Sequence, residues 1–177
     1  MLPQLLVVII GLLIGPVLVE VAGYVWHRYA EHKGIMGEIV RHKHIVHHEV
    51  LYPIDDLRHG EHYEDAHSWT WYAVGGLGTA LFLYFIPLQL SVPITIGGWA
   101  YGMFLEFCHR AYHLPKHVLH RFKWYKTLER RHDIHHYGPY NYGILVFFMD
   151  RIFGTLRDDF PEKKIDGFPG LPKHLLR

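Results

Sequence analysis

The segment that most constrains the fold is the N-terminal run from Leu2 to Trp26, LPQLLVVIIGLLIGPVLVEVAGYVW, which contains no Lys, Arg or Asp and a single Glu. A helix of this length can cross the hydrocarbon core of a bilayer. A cleaved signal peptide is the competing interpretation, but the start lacks basic residues, the apolar run is too long, and no A-x-A site follows it. The segment therefore predicts a retained transmembrane helix.

A second apolar block runs from Trp69 to Cys108 and is divided by PLQLSVP at 87–93. The prolines and polar residues of this divider predict a tight turn between two further spans. All eighteen Lys and Arg residues fall at 28–58 or 110–177. By the positive-inside rule, these two stretches share the cytoplasmic side and the N-terminus lies outside.

Spans and charges together predict one all-α, multi-pass integral membrane domain over residues 1–177. We expect three transmembrane helices at about 2–26, 69–86 and 92–109. A cytoplasmic helical cap formed by 27–68 and 110–177 would carry the histidines described next.

The composition points to histidine chemistry, because the chain has 17 histidines against 18 Lys plus Arg. A formal net charge of +1 argues against a nucleic-acid binder, which usually carries a strong basic excess. Cys108 is the single cysteine, so an intramolecular disulfide is excluded and a thiolate metal site would need other ligand types. Any metal site in this chain is expected to use ligands other than sulfur.

Ten of the histidines form four boxes at span ends or in the basic segments. Positions i, i+3 and i+4 share one face of a helix, so we expect each HX2HH box to present three imidazoles to one point. The first pair is five residues apart and would diverge on a regular helix, unless a break near Gly34 brings the second member round. The boxes are HX4H (His27, His32), HX2HH (His44, His47, His48), HX3H (His109, His113) and HX2HH (His132, His135, His136).

Ten converging imidazoles are too many for one ion with four to six ligands, so the boxes predict two metals among Zn, Fe, Cu and Ni. A single box could equally be a solvated, pH-sensitive helix face. His117 is a rival ligand because it forms an HX3H pair with His113, although Pro115 lies between them. The other functions to consider are a non-enzymatic membrane carrier of haem or metal and a metal-dependent phosphohydrolase.

Four polar residues are candidates for supporting the site. Glu20 and Glu106 are the acidic residues inside the predicted spans and could accept the distal N–H of a ligating histidine. An interhelical polar contact is the alternative for both. Asp133 could orient a ligand or be a solvated charge, and Asn141 belongs to a turn after the last box. Glu106 and Asn141 are the residues we expect to assist catalysis.

The four boxes in this order, followed by NYG at Asn141–Gly143 and DRIFGT at Asp150–Thr155, resemble the fatty acid hydroxylase/sterol desaturase superfamily. The chain is also similar in size to the short bacterial carotene hydroxylases, but it has a longer stretch between His32 and His44 and a narrower third box.

The resemblance implies a membrane monooxygenase with two Fe ions that uses O2 to hydroxylate or desaturate a C–H position of a lipid. It also implies electrons from a ferredoxin or cytochrome b5-type donor, and all ten box histidines as ligands. Zinc could replace iron in a purified sample, because imidazole binds both.

Overall fold

The computed structural model describes residues 3–64 and 68–161, and these residues are helical, with no β-strand among them. The all-α class is thus confirmed for this part of the chain. Leu2 of the first predicted span, and residues 65–67 and 162–177 of the predicted cap, lie outside the described residues. The helices are α1 (Gln4–Val25), a π-helix (Trp26–His32), α2 (Glu38–Val46), a π-helix (His47–Leu51), α3 (Ser68–Phe85), α4 (Leu88–Tyr112), a 3₁₀-helix (Val118–Arg121), α5 (Lys123–Tyr137) and α6 (Phe148–Ile152).

The chain divides into two compact units, Met1–Gly23 with His67–Glu106 and Tyr24–Ala66 with Phe107–Arg177. Their boundaries fall close to those predicted between the spans and the cap. The expectation of a single domain stays a prediction.

The first unit is built from α1, α3 and α4, which occupy the three predicted spans. Among the described helices, one continuous stretch, Gln4–His32, is long and apolar enough by length and composition to cross a membrane. The three-span topology therefore stays a prediction, whereas one candidate span is established.

Helices α1 and α4 pack through glycines. A Cβ atom on Gly15 would overlap the carbonyl oxygen of Ile94 and the backbone nitrogen of Gly98. Small residues at such positions let two helix backbones approach closely. Helix α3 is joined to α4 by a hydrogen bond from the Trp99 indole N–H to the Thr79 hydroxyl at 2.9 Å.

The turn predicted over 87–93 is shorter than expected, because α4 begins at Leu88 and contains Pro93. The turn consists of Ile86 and Pro87, and the carbonyl of Pro87 accepts hydrogen bonds from the backbone N–H groups of Leu90 and Ser91. The first N–H groups of a helix have no intrahelical partners. Pro87, which lacks an N–H group, therefore removes no hydrogen bond from the start of α4.

The second unit has a buried core where the end of α4 meets α5, formed by Cys108, Ala111, Tyr112 and Tyr125. This core fixes α5 beside the last turn of α4. Since α5 carries the final histidine box and α4 leads into the third, the packing brings two boxes together.

Candidate metal centre

Nine of the ten box histidines lie in two groups whose potential ligand atoms are within 4.8 Å of one another. All of them belong to the second unit. The rings of His48 and His136, one from each group, stack with centroids 4.0 Å apart, so the groups adjoin. The first cluster is His27, His32, His44, His48 and His135, and the second cluster is His47, His113, His132 and His136.

The HX4H box reaches one cluster because its backbone is a π-helix, Trp26–His32. The i→i+5 hydrogen bonding of a π-helix widens each turn, so residues five apart lie nearly above one another. His27 and His32 thereby point to the same place, with ring centroids 5.1 Å apart. The helix does end at His32, and Gly34 follows with a φ of 68°, as expected, but the widening of the helix and not the break brings His32 round.

The expectation that each HX2HH box converges on one point is also wrong. His44 and His48 join the first cluster while His47 joins the second, and His132 and His136 join the second while His135 joins the first. At 3.6 residues per turn, positions i+3 and i+4 are about 100° apart around the helix, whereas i and i+4 are about 40° apart. Each box therefore serves both clusters, with the i, i+4 pair on one and the i+3 residue on the other.

Backbone carbonyls fix the tautomers of four of these rings. The Nδ1–H groups of His27 and His135 donate to the carbonyls of Tyr142 and Tyr140, at 2.7 and 2.8 Å. Those of His113 and His136 donate to the carbonyls of Leu57 and Tyr52, at 3.0 and 2.9 Å. Each neutral ring then directs the lone pair of its Nε2 into its cluster.

These Nε2 atoms are close to one another. His132 Nε2 lies 3.0 Å from His113 Nε2 and 3.1 Å from His136 Nε2. The two neighbours are acceptors at Nε2, so a proton on His132 Nε2 could point to only one of them, and without that proton all three nitrogens direct lone pairs at one another. A cation between the nitrogens removes this repulsion.

The spacing suits such a cation. In the first cluster, His44 Nε2 is 3.2 Å from His27 Nε2 and 2.9 Å from His32 Nε2. Metal–nitrogen bonds of about 2.0–2.1 Å place neighbouring ligand nitrogens about 2.9–3.4 Å apart. The buried Nε2 of His48 also lacks a hydrogen-bond partner among the described residues. The donor set therefore fits one metal ion per cluster.

Burial keeps the rings neutral. It lowers the pKa of five rings well below the usual histidine value, and charge on neighbouring imidazoles lowers it further; the five are His44, His48, His113, His132 and His135. The pKa of His136 is lowered to about 3, chiefly by burial. At neutral pH these imidazoles can ligate a metal without first losing a proton.

Glu31, inside the HX4H box, is an acidic residue that the sequence reasoning missed. It is 2% exposed, accepts a hydrogen bond from the Trp26 indole N–H at 3.0 Å, and has a carboxylate oxygen 3.6 Å from His44 Nδ1. The available signal was a carboxylate between two candidate ligands in WHRYAEH.

The predicted supporting residues have specific partners. Glu20 of α1 accepts a hydrogen bond from the Tyr101 hydroxyl of α4, which is the interhelical contact considered as an alternative. Glu106 is half-buried in the first unit, so its role beside the third box stays a prediction. Asp133 is buried and forms a 2.6 Å ion pair with Arg58, so it is not a solvated charge.

Asn141 is fully buried and has a φ of 51°. Its side-chain amide donates to the carbonyls of Arg131 and Arg157 and accepts from the Arg157 N–H. These bonds hold the turn after α5, as the sequence suggested. A direct part in catalysis stays a prediction.

His109 and its rival His117 both lie outside the two clusters. The His109 ring contacts those of His47, His113 and His132, with centroids 4.8 to 5.4 Å away, so it borders the second cluster. His117 Nδ1 instead accepts the backbone N–H of Leu119 at the start of the 3₁₀-helix.

Comparison of the sequence with protein-family models shows which family the chain belongs to. The family model for fatty acid hydroxylases matches residues 12–155, which include every box histidine and the NYG and DRIFGT motifs. The chain belongs to the fatty acid hydroxylase family. The resemblance found in the sequence is thus confirmed, and the family supports an oxidoreductase of the membrane hydroxylase or desaturase type. Neither the curated proteins nor the solved structures that were searched gave a match.

Proposed function

We propose that this chain is an O2-dependent, multi-pass membrane oxidoreductase with two iron ions that hydroxylates or desaturates a C–H position of a lipid. The observation that carries the proposal is the convergence of neutral imidazoles, with lone pairs facing one another, in two adjoining clusters. The membership in the fatty acid hydroxylase family supplies the reaction class.

The first cluster would hold one ion through five imidazoles and the second would hold the other through four. His109, at the edge of the second cluster, would be a further ligand there. Bound iron would supply the activation of O2, and either reaction would use two electrons and two protons. In hydroxylation one oxygen atom would enter the lipid and the other would leave as water, whereas in desaturation the lipid would lose two hydrogen atoms and both oxygen atoms would leave as water. Zinc would fill the same sites in purified samples, because neutral imidazole accepts both metals.

The protein's own contribution is placement. Carbonyls fix the ring tautomers, burial keeps the imidazoles unprotonated, and the i+3 and i+4 positions of each HX2HH box hold the two clusters side by side. Glu31, close to His44 Nδ1, would orient that ring and raise its basicity.

A membrane location is supported by the apolar helix Gln4–His32 and by the large apolar side chains that the first unit exposes. Leu77 and Phe85 of α3 and Leu88 of α4 are 63–72% exposed. Patches of this kind are disfavoured in water and suit lipid. We propose that α3 and α4 also span the bilayer, that the boxes face the cytosol, and that a ferredoxin or cytochrome b5-type protein delivers electrons there.

The two alternative functions fit the site less well. A haem carrier needs an open slot between two axial histidines, but the rings of His48 and His136 stack at 4.0 Å and leave no room for a porphyrin plane between the clusters. A metal-dependent phosphohydrolase needs carboxylate ligands, and both clusters among the described residues consist of imidazoles alone.

Lipid and carotenoid profiling tests the proposal in a host expressing the chain beside one expressing His136→Ala. We expect a hydroxylated or desaturated lipid only with the parent chain, at equal levels of folded protein. Identical lipid profiles, or product formation by the variant near the parental level, would contradict the proposal.

A further inference from the structure

We infer that two short loops each orient one histidine cluster, and that Asp150 and Arg58 are the positioning residues that hold these loops. The inference rests on the proposed metal-binding function and adds that the two metal sites are set independently. Its starting point is the set of four carbonyls that accept Nδ1–H groups of cluster histidines, because they come from only two stretches of chain.

The first loop, Tyr140–Gly143, serves the first cluster. The carbonyls of Tyr140 and Tyr142 accept the Nδ1–H groups of His135 and His27, both members of that cluster. Asn141 stands between the two carbonyls in the left-handed region, and its side-chain bonds hold the loop in this shape. One loop thus fixes the rings of two ligands that are far apart in the sequence.

The carboxylate of Asp150 holds this loop in place through hydrogen bonds to its backbone. Its fully buried carboxylate accepts the backbone N–H groups of Tyr142 and Gly143, both at 2.8 Å, and the Thr155 hydroxyl at 2.7 Å. The Gly143 N–H and the Tyr142 carbonyl that accepts His27 belong to the same peptide group. A carboxylate on the N–H side polarises that group and makes its oxygen a better acceptor.

Asp150 therefore strengthens the hydrogen bond of His27 indirectly, through the Tyr142–Gly143 peptide group. The effect has the same direction as that of a carboxylate bonded to the ring itself. A stronger acceptor at Nδ1–H fixes the ring orientation and raises the basicity of Nε2. The side chains responsible, Asn141, Asp150 and Thr155, are members of the NYG and DRIFGT motifs, which gives both motifs one physical task.

The second loop, Tyr52–Leu57, does the same for the second cluster. Its end carbonyls accept the Nδ1–H groups of His136 and His113. Arg58, directly after the loop, forms hydrogen-bonded ion pairs with Asp133 and Glu129 of α5, at 2.6 and 3.0 Å. Arg58 therefore ties the loop to the helix that carries His136.

Cobalt titration of the purified full chain tests this division of labour, with Co²⁺ as the probe and a competing chelator to set the free metal. We expect two tight ions in the parent chain. Asp150→Asn should weaken one of them by about 10–100-fold, the usual effect of losing an outer partner of a ligand. Arg58→Met should weaken the other.

Combination with a ligand variant identifies the affected site. Asp150→Asn together with His32→Ala, both acting on the first cluster, should leave one tight ion, whereas Asp150→Asn with His113→Ala should leave none. Arg58→Met together with His113→Ala should leave one tight ion, whereas Arg58→Met with His32→Ala should leave none. Two unchanged ions in Asp150→Asn, or loss of both in the pairing with His32→Ala, would overturn the inference.

The matched control is Asp159→Asn, which removes a carboxylate that is 89% exposed and paired with Arg130, and should keep both affinities. If Asp150→Asn does not fold, Thr155→Val removes one of the three hydrogen-bond donors to the Asp150 carboxylate and should weaken the binding of the same ion several-fold. Unchanged binding would overturn the inference.

Nitrogen NMR of histidine side chains in the metal-free parent provides a readout without a variant. His27 and His135 should be protonated at Nδ1, and protonation at Nε2 in either residue would overturn the inference. A parent that binds no Co²⁺ would contradict the proposed function, while the NMR result still tests the first loop.

Discussion

Replacing Arg58 by Met should destabilise the metal-free chain by leaving Asp133 without its cation and Glu129 with His120, at 3.0 Å, as its remaining partner. Removal of one member of a buried ion pair costs about 3–5 kcal/mol. Here the side chains of Arg58, Asp133 and Glu129 are 23%, 12% and 16% exposed, so solvent screening reduces the cost. We expect a loss of about 2–3 kcal/mol in the free energy of unfolding. At about 2–4 °C per kcal/mol for a chain of this size, the melting temperature should fall by roughly 5–10 °C.

The loss should depend on pH with a definite sign. Burial raises the pKa of Asp133 to about 7 even though Arg58 opposes the shift. Without Arg58 the pKa rises further, because the attraction that favoured the carboxylate is gone. A protonated Asp133 needs no cation, so Arg58→Met should be less harmful at pH 6 than at pH 8.

Thermal unfolding in detergent micelles, followed by tryptophan fluorescence, measures the effect. At pH 8, adding Asp133→Asn to Arg58→Met should recover part of the loss, because an amide at this position needs neither a cation nor a bound proton. Melting of Arg58→Met within about 2 °C of the parent, or no recovery in the double variant, would refute the reasoning.

Three further predictions concern the clusters and the helix contact. His47→Ala and His48→Ala, although adjacent in sequence, should each lose a different metal ion, and the double variant should lose both; a double variant that keeps one tight ion would show that the two residues share a site. The metal-free chain should lose stability as the pH falls below 6.5, by about 1.4 kcal/mol per pH unit for each buried histidine. His136 is an example: with its pKa lowered to about 3, it stays neutral in the folded chain but is protonated in the unfolded chain. Equal stability at pH 7 and pH 5, measured by chemical denaturation, would contradict this. Gly15→Ala should cost about 1–3 kcal/mol by forcing α1 and α4 apart, whereas Gly78→Ala, with open space around the new methyl group, should be tolerated; equal melting temperatures for these two variants would argue against the close helix contact.

The sequence predicted much of the organisation because its strongest signals are long-range patterns. The apolar runs correspond to helices α1, α3 and α4, and all the Lys and Arg residues belong to the second unit. That this unit is a cytoplasmic cap stays a prediction. Histidine spacing selected the residues that the structure brings together, since nine of the ten lie in two clusters. The ordered boxes also indicated the family correctly.

Local backbone geometry was harder to predict. The convergence of His27 and His32 depends on a π-helix, which no residue in WHRYAEH requires by itself. The rings of His27 and His32 both contact His135, far away in the sequence, and such contacts leave no signal within these seven residues. The division of each HX2HH box between clusters follows from helix geometry, because positions i+3 and i+4 are about 100° apart around the helix. What the sequence did not show is that each box lies between two clusters.

The hydrogen-bond partners of the histidine rings were also hard to predict from the sequence. The predicted partners are carboxylates in the spans, but main-chain carbonyls fix the rings of four histidines, His27, His113, His135 and His136. A carbonyl is present in every residue and leaves no sequence pattern. Only the side chains that hold the loops, such as Asp150, could have pointed to them.

The most direct test of the central claim is the metal content of the purified full chain after anaerobic reconstitution with Fe²⁺, together with the optical spectrum of the same sample. The account predicts two iron ions per chain bound by nitrogen ligands, with one lost in His32→Ala and the other in His113→Ala. A single ion per chain, no bound metal, or a Soret band from haem would contradict it.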